Sequence, residues 1–409
     1  MFSLKKLLPN KKIAIISIGN SKVRVAICEQ DEKSIKLLAI SEKRQEQKDF
    51  LHGEITDIEG VCETIDSALS KASKLAPVTI GEAILNVPSS SVIGEINKIN
   101  YQRKQPDTNI DLEELDTIIG KIEHFSIKKA QKKIYETSGY KNLDIKLITS
   151  SITQISIDND LVKNPIGFSG KNVTISVLNI FTPISKYNII KSIGKYLSKK
   201  IDYIIPKEFA LGKIIEKSSF NSENVSILDI GYSKTRIIIQ KGGNIIGFKI
   251  IDIGILDLIK QIKKDTKENE IEIQKNLNSE RYFSHKRQFL NVWGLGLSIA
   301  IKELINDSYF PEKVFLAGLK DFDFINSFLK SSKFSAIIKT GKQINFINDE
   351  IEKELEKILK TNNIFAQEIN PKNIDYSLLS LILSYSEIIN IKEDAIAQTL
   401  KNVLNKIKL

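Results

Sequence analysis

Residues 12–28, KIAIISIGNSKVRVAIC, and residues 225–240, VSILDIGYSKTRIIIQ, each read as an apolar run, a glycine turn and a second apolar run. β-branched residues dominate both runs and the glycine marks the reversal, so each stretch predicts a β-hairpin with a tight loop. The first loop falls at Ile18 to Lys22, the second at Gly231 to Thr235. A pattern that occurs twice in one chain predicts two related lobes.

The rest of the chain fits that scale. At 409 residues it exceeds what one hydrophobic core holds, and 42% apolar residues suffice for several packed units. The formal charge of +10 is spread among acids, as in QIKKDTKENEIEIQKNL, which points to a solvated mixed-charge surface and no nucleic-acid partner. Only Cys28 and Cys62 are present, so no disulfide framework is expected, and the three histidines offer no metal cluster. That usage fits a reducing cytoplasm. No apolar stretch is long enough to cross a bilayer, and MFSLKKLLPNKK lacks the apolar centre of a secretory signal.

Outward from the first hairpin, EGVCETIDSALSKASKL sets Val61, Ile65, Ala68, Leu69 and Ala72 on one helical face, and residues 80–92 return to strand character. The chain then changes texture. A polar connection, a helix near DLEELDTIIGKIEHFSIKKAQKK and the alternating DIKLITSSITQISID predict a small inserted α+β unit. The fold class expected is therefore α/β, with these units: a first lobe over 1–85 and 168–200, the insert over 86–167, a second lobe over 201–385 with a helical part near 253–312, and a terminal amphipathic helix over 386–409.

These segments together resemble the FtsA family of bacterial cell-division proteins, within the actin-like ATPase superfamily. The resemblance rests on HGEITDIEGVCETIDSALSKASKLA, on the turn NPIGFSG, on IDYIIPKEFALGKIIEKS, on the second hairpin and on VFLAG, in the family's order. It implies a duplicated, ribonuclease H-like two-lobed fold with a nucleotide between the lobes. It further implies Gly19, Asn20, Ser21, Lys22, Gly231, Ser233, Lys234 and Thr235 around the phosphates, and Gly318 with Glu272 and Lys275 of ENEIEIQKNL around the adenosine. ATP with Mg is the cofactor so implied.

The residues themselves make that site a degraded one. Asp229 is the candidate ligand for a Mg-bound water, but Ser17 stands where the family places an aspartate. Tyr232 is bulky beside the phosphates, while Lys234 could pair with one and partly replace the metal. The expectation is nucleotide binding with weak hydrolysis at most. A plainer reading stays open, with Asp229 capping its own turn and Gly19 and Gly231 forming ordinary hairpin turns.

EDAIAQTLKNVLNKIKL carries a second signal. Ile396, Leu400, Val403, Leu404 and Ile407 recur at helical spacing and Lys401, Lys406 and Lys408 fill the remainder, the pattern of a helix lying on an anionic membrane surface. An ordinary final helix packed on a lobe has the same periodicity. The resemblance implies a protein that tethers the tubulin-like FtsZ ring to the cytoplasmic face of the membrane at the division site and self-associates head to tail into filaments. The alternatives are a pilus-assembly actin-like adaptor and an active ATPase on the same fold.

Overall fold

The computed structural model describes residues 10–390 apart from 32–33, 52, 88–91, 139–143, 307, 319–321, 339, 342 and 362–373. Of the terminal helix expected over 386–409, residues 391–409, with Ile396, Leu400, Lys401, Val403, Leu404, Lys406, Ile407 and Lys408, lie outside the described residues.

The chain opens with β1 (Lys11–Ile18), β2 (Lys22–Gln30) and β3 (Ile35–Arg44), then the short strands β4 (Phe50–Leu51) and β5 (Glu54–Ile55), α1 (Ile58–Leu75) and β6 (Glu82–Val87). The insert follows with β7 (Ile93–Gln102), α2 (Leu112–Ser138), β8 (Ile145–Ile157), β9 (Asp160–Leu161) and β10 (Asn172–Pro183). α3 (Ile184–Tyr196), β11 (Lys200–Pro206) and α4 (Lys207–Glu216) lead into the second lobe. There β12 (Asn224–Ile230), β13 (Thr235–Lys241) and β14 (Asn244–Ile251) precede α5 (Ile255–Thr266), α6 (Glu270–Lys275) and α7 (Phe283–Ile305). β15 (Lys313–Gly318), α8 (Asp323–Lys330), α9 (Ser332–Ile337), β16 (Asn345–Phe346), α10 (Asn348–Thr361) and α11 (Tyr376–Asn390) complete it.

Two five-stranded sheets share one plan. The first runs β11-β6-β1-β2-β3 and the second β14-β13-β12-β15-β16. In each, the first three strands in chain order form an antiparallel meander, and the next two add in parallel on the other side of the first strand. The two hairpins even share register: Ile18 pairs Val23 across four turn residues, and Ile230 pairs Thr235 across four. The internal repeat is thus a repeat of structure.

Burial follows from the apolar runs. β1 is central and covered on both faces, so Ile13, Ala14, Ile15 and Ile16 are all buried, and each isoleucine contributes about 1.5–3 kcal/mol. In β12 the period-two rule divides the side chains: Ile227 joins the core shared with the first lobe, and Leu228 joins the outer core under α5 and α7. α4 and α11 pack on each other. Ile214 of α4 and Leu379 and Ile382 of α11 belong to one continuous core with Ile15 and Ile27 of the first sheet and Ile238 and Phe315 of the second. The lobes are therefore joined by shared apolar burial.

The insert is larger than the sequence pattern suggests. β10 pairs with both β7 and β8, so its sheet, β7-β10-β8-β9, runs on to Pro183 and does not end at residue 167. The long apolar run of β10 reads as a lobe strand because α2 covers it as a lobe helix would, through Leu115, Ile118, Ile119 and Ile122 against Val173, Ile175 and Val177. The turn NPIGFSG closes the insert: buried Arg103 binds Glu114 through Nε at 2.9 Å and through a terminal nitrogen at 2.8 Å, and donates to the Gly170 carbonyl at 3.1 Å. At the other end of the chain, α11 continues to Asn390, past the boundary expected at 385.

Because the α4–α11 layer is shared, Ile214→Ala is expected to lower global stability by about 2–4 kcal/mol and to leave a single urea transition. Two separated transitions, one unmoved by the substitution, would contradict a shared core.

Candidate functional site

The two hairpin turns meet across a cleft. Gly19 N–H donates to the Lys22 carbonyl at 3.0 Å, and Gly231 N–H to the Lys234 carbonyl at 2.9 Å. Both glycine amides are thus used in closing their own turns. Across the gap the Asn20 amide donates to the Ser233 hydroxyl. The Lys234 stem lies over Gly53, where an added Cβ would sit 2.3 Å from Cε, and its ammonium reaches Asp252 at 2.5 Å. The Gln47 amide donates to Glu270 from the opposite lobe.

Beneath the turns lies a buried ion cluster. Asp229 is fully buried and holds two cations, Lys207 Nζ at 2.8 Å and a terminal nitrogen of Arg236 at 2.5 Å. Arg236 also binds the fully buried Glu208 through Nε at 2.9 Å. Local sequence places each member. Asp229 and Arg236 are cross-strand partners in the second hairpin, and Lys207 and Glu208 open α4 directly after Pro206. Burial disfavours the charge on Asp229, but Lys207 and Arg236 more than offset it and hold its carboxyl below the ordinary 3.8. Burial also pushes Glu208 up and draws Lys207 down, against the pull of Arg236 and Asp229 respectively. Gly318, at φ +76°, lets β15 pass close by: a Cβ there would sit 2.4 Å from the Ile230 carbonyl oxygen and 2.7 Å from Asp229 Oδ1.

The first hairpin has the same layout without the acid. Arg24 is the cross-strand partner of Ser17, as Arg236 is of Asp229, and it reaches Asp375 at 3.4 Å. Asp375 in turn accepts from Ser377 N–H at 2.9 Å at the start of α11. Each lobe thus sets an arginine on the second strand of its hairpin against an acid at the head of a helix. Asn86 clamps Ile18 by accepting from its N–H at 2.6 Å and donating to its carbonyl at 3.0 Å.

Of the residues singled out from sequence, Gly19, Asn20, Ser21, Asp229, Gly231, Ser233, Lys234 and Gly318 line this cleft, together with Ser17, Arg24, Asn86, Lys207, Tyr232, Arg236 and Asp375. Its volume is about 100 Å³. A neighbouring hollow of about 230 Å³ shares Asn20, Ser21 and Tyr232 and adds Lys22, Arg44, Gln274, Leu277 and Phe322. Three expected contacts fall elsewhere. Thr235 is buried and turned into the lobe, donating to the Ile253 carbonyl at 2.9 Å and accepting from Trp293 Nε1 at 3.0 Å. Glu272 and Lys275 are exposed and line neither hollow, because the face of α6 toward the cleft carries Gln274, which donates to the Tyr232 hydroxyl at 3.1 Å. At 100° per residue, a residue two positions from Gln274 points away.

The site does not fit Mg²⁺. That ion requires near-octahedral hard oxygens with carboxylates free to meet it. Here both oxygens of Asp229 face cations, Ser17 supplies no charge, and among the described residues no group of three or more His, Cys, Asp or Glu side chains could hold a metal. Asp229 as the ligand of a metal-bound water is therefore corrected to an ion-pair acceptor. Lys207, Glu208, Arg236, Arg24 and Asp375 carry no role in the sequence reading. Their available signal was the repeated Ser-Lys-x-Arg, at Ser21–Arg24 and Ser233–Arg236, which sets an arginine within an apolar strand.

Arg236→Met strands the buried Glu208 carboxylate and takes one of the two cations from Asp229, which keeps Lys207. Breaking such a pair is expected to cost about 3–5 kcal/mol at neutral pH. In the parent the Asp229 pairing is complete above its unfolded-state value of 3.8 and is lost as pH falls through its lower folded-state value. In the variant Glu208 is relieved of its unpaired charge by taking up a proton, so the deficit in denaturant unfolding should shrink as pH falls into the carboxylate range. A deficit independent of pH would show that the cost is one of packing.

No protein-family model matches the chain, and no curated protein sequence does. Among solved structures, a PilM–PilN type IV pilus biogenesis complex aligns over 98% of this chain and 100% of its own, at 13% identity and TM-score 0.59. Ethanolamine utilization protein EutJ from Carboxydothermus hydrogenoformans aligns over 83% and 86%, at 13% identity and TM-score 0.43. A diol dehydratase-reactivating factor in nucleotide-free form aligns over 92% and 100%, at 9% identity and TM-score 0.44. The fold of this chain is the two-lobed actin-like α/β fold with an inserted unit, and the likeness is one of fold.

Proposed function

We propose that the chain is an actin-like assembly adaptor that acts by binding and shape, with no significant ATP turnover. The observation that carries this reading is the Lys207–Asp229–Arg236 cluster, which occupies the carboxylate that hydrolysis on this fold would need for a metal. Phosphoryl transfer relies on metal ions and preplaced charges, and removing one stabilising group of that kind costs about 10²–10³ in kcat. With Ser17 and Asp229 both out of service, little is left to stabilise the developing charge.

The partner we favour is a pilus-type envelope assembly, supported by end-to-end alignment with PilM from the PilM–PilN complex. A second reading, tethering of FtsZ and head-to-tail self-association through the insert, draws on the closed NPIGFSG turn of the insert. Both readings would put the protein at the cytoplasmic face of a membrane, and for the FtsZ reading the apolar and lysine spacing of EDAIAQTLKNVLNKIKL supports a surface anchor there.

Turnover, partner and membrane are tested separately. Phosphate release from Mg-ATP should equal that of the heat-denatured protein; turnover above it overturns the adaptor reading. Sedimentation with FtsZ filaments and capture by PilN then separate the two partners, and FtsZ co-sedimentation without PilN capture would sink the pilus assignment. On vesicles with anionic lipid, Leu400→Glu combined with Leu404→Glu should reduce flotation to background. Unchanged flotation would remove the C-terminal segment as the anchor.

A further inference from the structure

α7 is apolar on two faces. Trp293, Leu297 and Ile301 enter the core of the second lobe, as the inner stripe of a surface helix does. Val292, Leu295 and Ile299 lie on the outward side, at 61%, 58% and 59% exposure. At 100° per residue the three fall within an arc of about 60°, so they form one ridge along the helix. Contiguous apolar surface outside the core marks a contact with another molecule.

The ridge carries its own complement. Gly296 interrupts it beside Leu295, and a Cβ there would meet only Ile253 Cδ1 at 3.4 Å and Ile251 Cδ1 at 3.7 Å. The gap is a shallow notch walled by two isoleucines that are themselves partly buried. A projecting leucine next to a notch is the form that a self-complementary contact requires. A two-fold axis between Leu295 and Gly296 sets the leucine of each copy against the notch of the other. The same axis runs the two helices antiparallel and sets Val292 opposite Ile299.

Charge agrees with that arrangement. Beside the C-terminal half of the ridge, Lys249 of β14 pairs with Glu303. Beside the N-terminal half, His285 Nε2 lies 3.1 Å from Asp265 of α5, whose side chain is 55% exposed. His285 and Glu303 are about five full turns apart and so share one edge of the ridge. Antiparallel packing therefore lays one pair along the other, Lys249 toward Asp265 and Glu303 toward His285 of the second copy. A helix face about 34 Å long and 10 Å wide covers roughly 350 Å² per copy, under half of the roughly 800 Å² of a standard interface. The pairing is accordingly weak, with Kd on the order of 10–100 μM.

We propose that α7 is a dimerisation face, on which two copies of this chain pair isologously through Val292, Leu295, Gly296 and Ile299. Such a contact closes at two copies, whereas a head-to-tail contact through the insert propagates. It requires neither the pilus reading nor the FtsZ reading.

The test is sedimentation velocity of the full chain over a concentration series that brackets this Kd. The parent should pass from monomer to dimer, and Leu295→Glu should stay monomeric throughout. Gly296→Ala fills the notch yet makes only ordinary contacts within its own chain, so Kd should rise about tenfold while thermal unfolding moves to no lower temperature. Leu295→Cys adds a thiol to a chain whose Cys28 and Cys62 are buried, and copper phenanthroline should link two copies through it. Val292→Cys, which the axis sets about 10 Å from its own mate, should not link. A parent monomeric at every concentration, a dimer that Leu295→Glu leaves intact, or linking through Val292→Cys as readily as through Leu295→Cys overturns the proposal. A parent that stays monomeric and loses PilN or FtsZ binding in Leu295→Glu assigns the ridge to that partner and overturns it too. Phosphate release and partner capture by the parent test the adaptor reading separately.

Discussion

The contact between Asp229 and its two cations is the constraint around which the second lobe meets the rest of the molecule. Lys207 and Glu208 begin the helix that follows the last strand of the first sheet, while Asp229 and Arg236 sit on the second hairpin. Four buried charges therefore alternate across the junction of the lobes, each opposite one of the other sign. Buried ions are tolerated only with such pairing, because desolvating an isolated charge outweighs most of what packing returns. The pairing fixes where α4 starts relative to β12 and β13, and the apolar layer of α4 and α11 packs in the position so set.

The duplication explains why the same device occurs twice in altered form. In both hairpins the arginine stands opposite the residue before the last of the first strand, and in both a helix brings it an acid. The first lobe has Ser17 in place of the second acid, so its arginine is held less firmly and stays nearer the opening of the cleft. The asymmetry leaves one arginine locked on two buried acids and the other held at longer range by Glu42 and Asp375.

How far the sequence disclosed this depended on whether a feature was local. The two hairpins are legible because glycine turns between β-branched runs make strand, loop and register almost self-contained. α1 is legible because Val61, Ile65, Ala68, Leu69 and Ala72 keep a helical period, and all five are buried. β7 was read as a polar connection because IGEINKINYQ exposes much of one face, and an edge strand of that kind resembles a loop. Glu272 and Lys275 match a motif by spacing, but on a helix only six residues long Glu272 points away from the Gln274 face and Lys275 to its side. Lys207 and Glu208 look like ordinary surface charges at a helix start; the pairing that buries them joins segments more than twenty residues apart, and no local pattern records it.

An internal cation pair also changes what the cleft responds to. A clamp closed by a bound metal–nucleotide complex gains stability as RT ln(1 + [L]/Kd), so its closure follows the ligand concentration. Here Lys207 and Arg236 on Asp229, Asn20 on Ser233 and the Lys234 stem on Gly53 make the closing contacts from within the chain. Its geometry then becomes a property of the fold. For the adaptor proposed above, contacts of this kind would hold one surface shape between encounters with a partner, where an enzyme that cycles between open and closed forms gives that up.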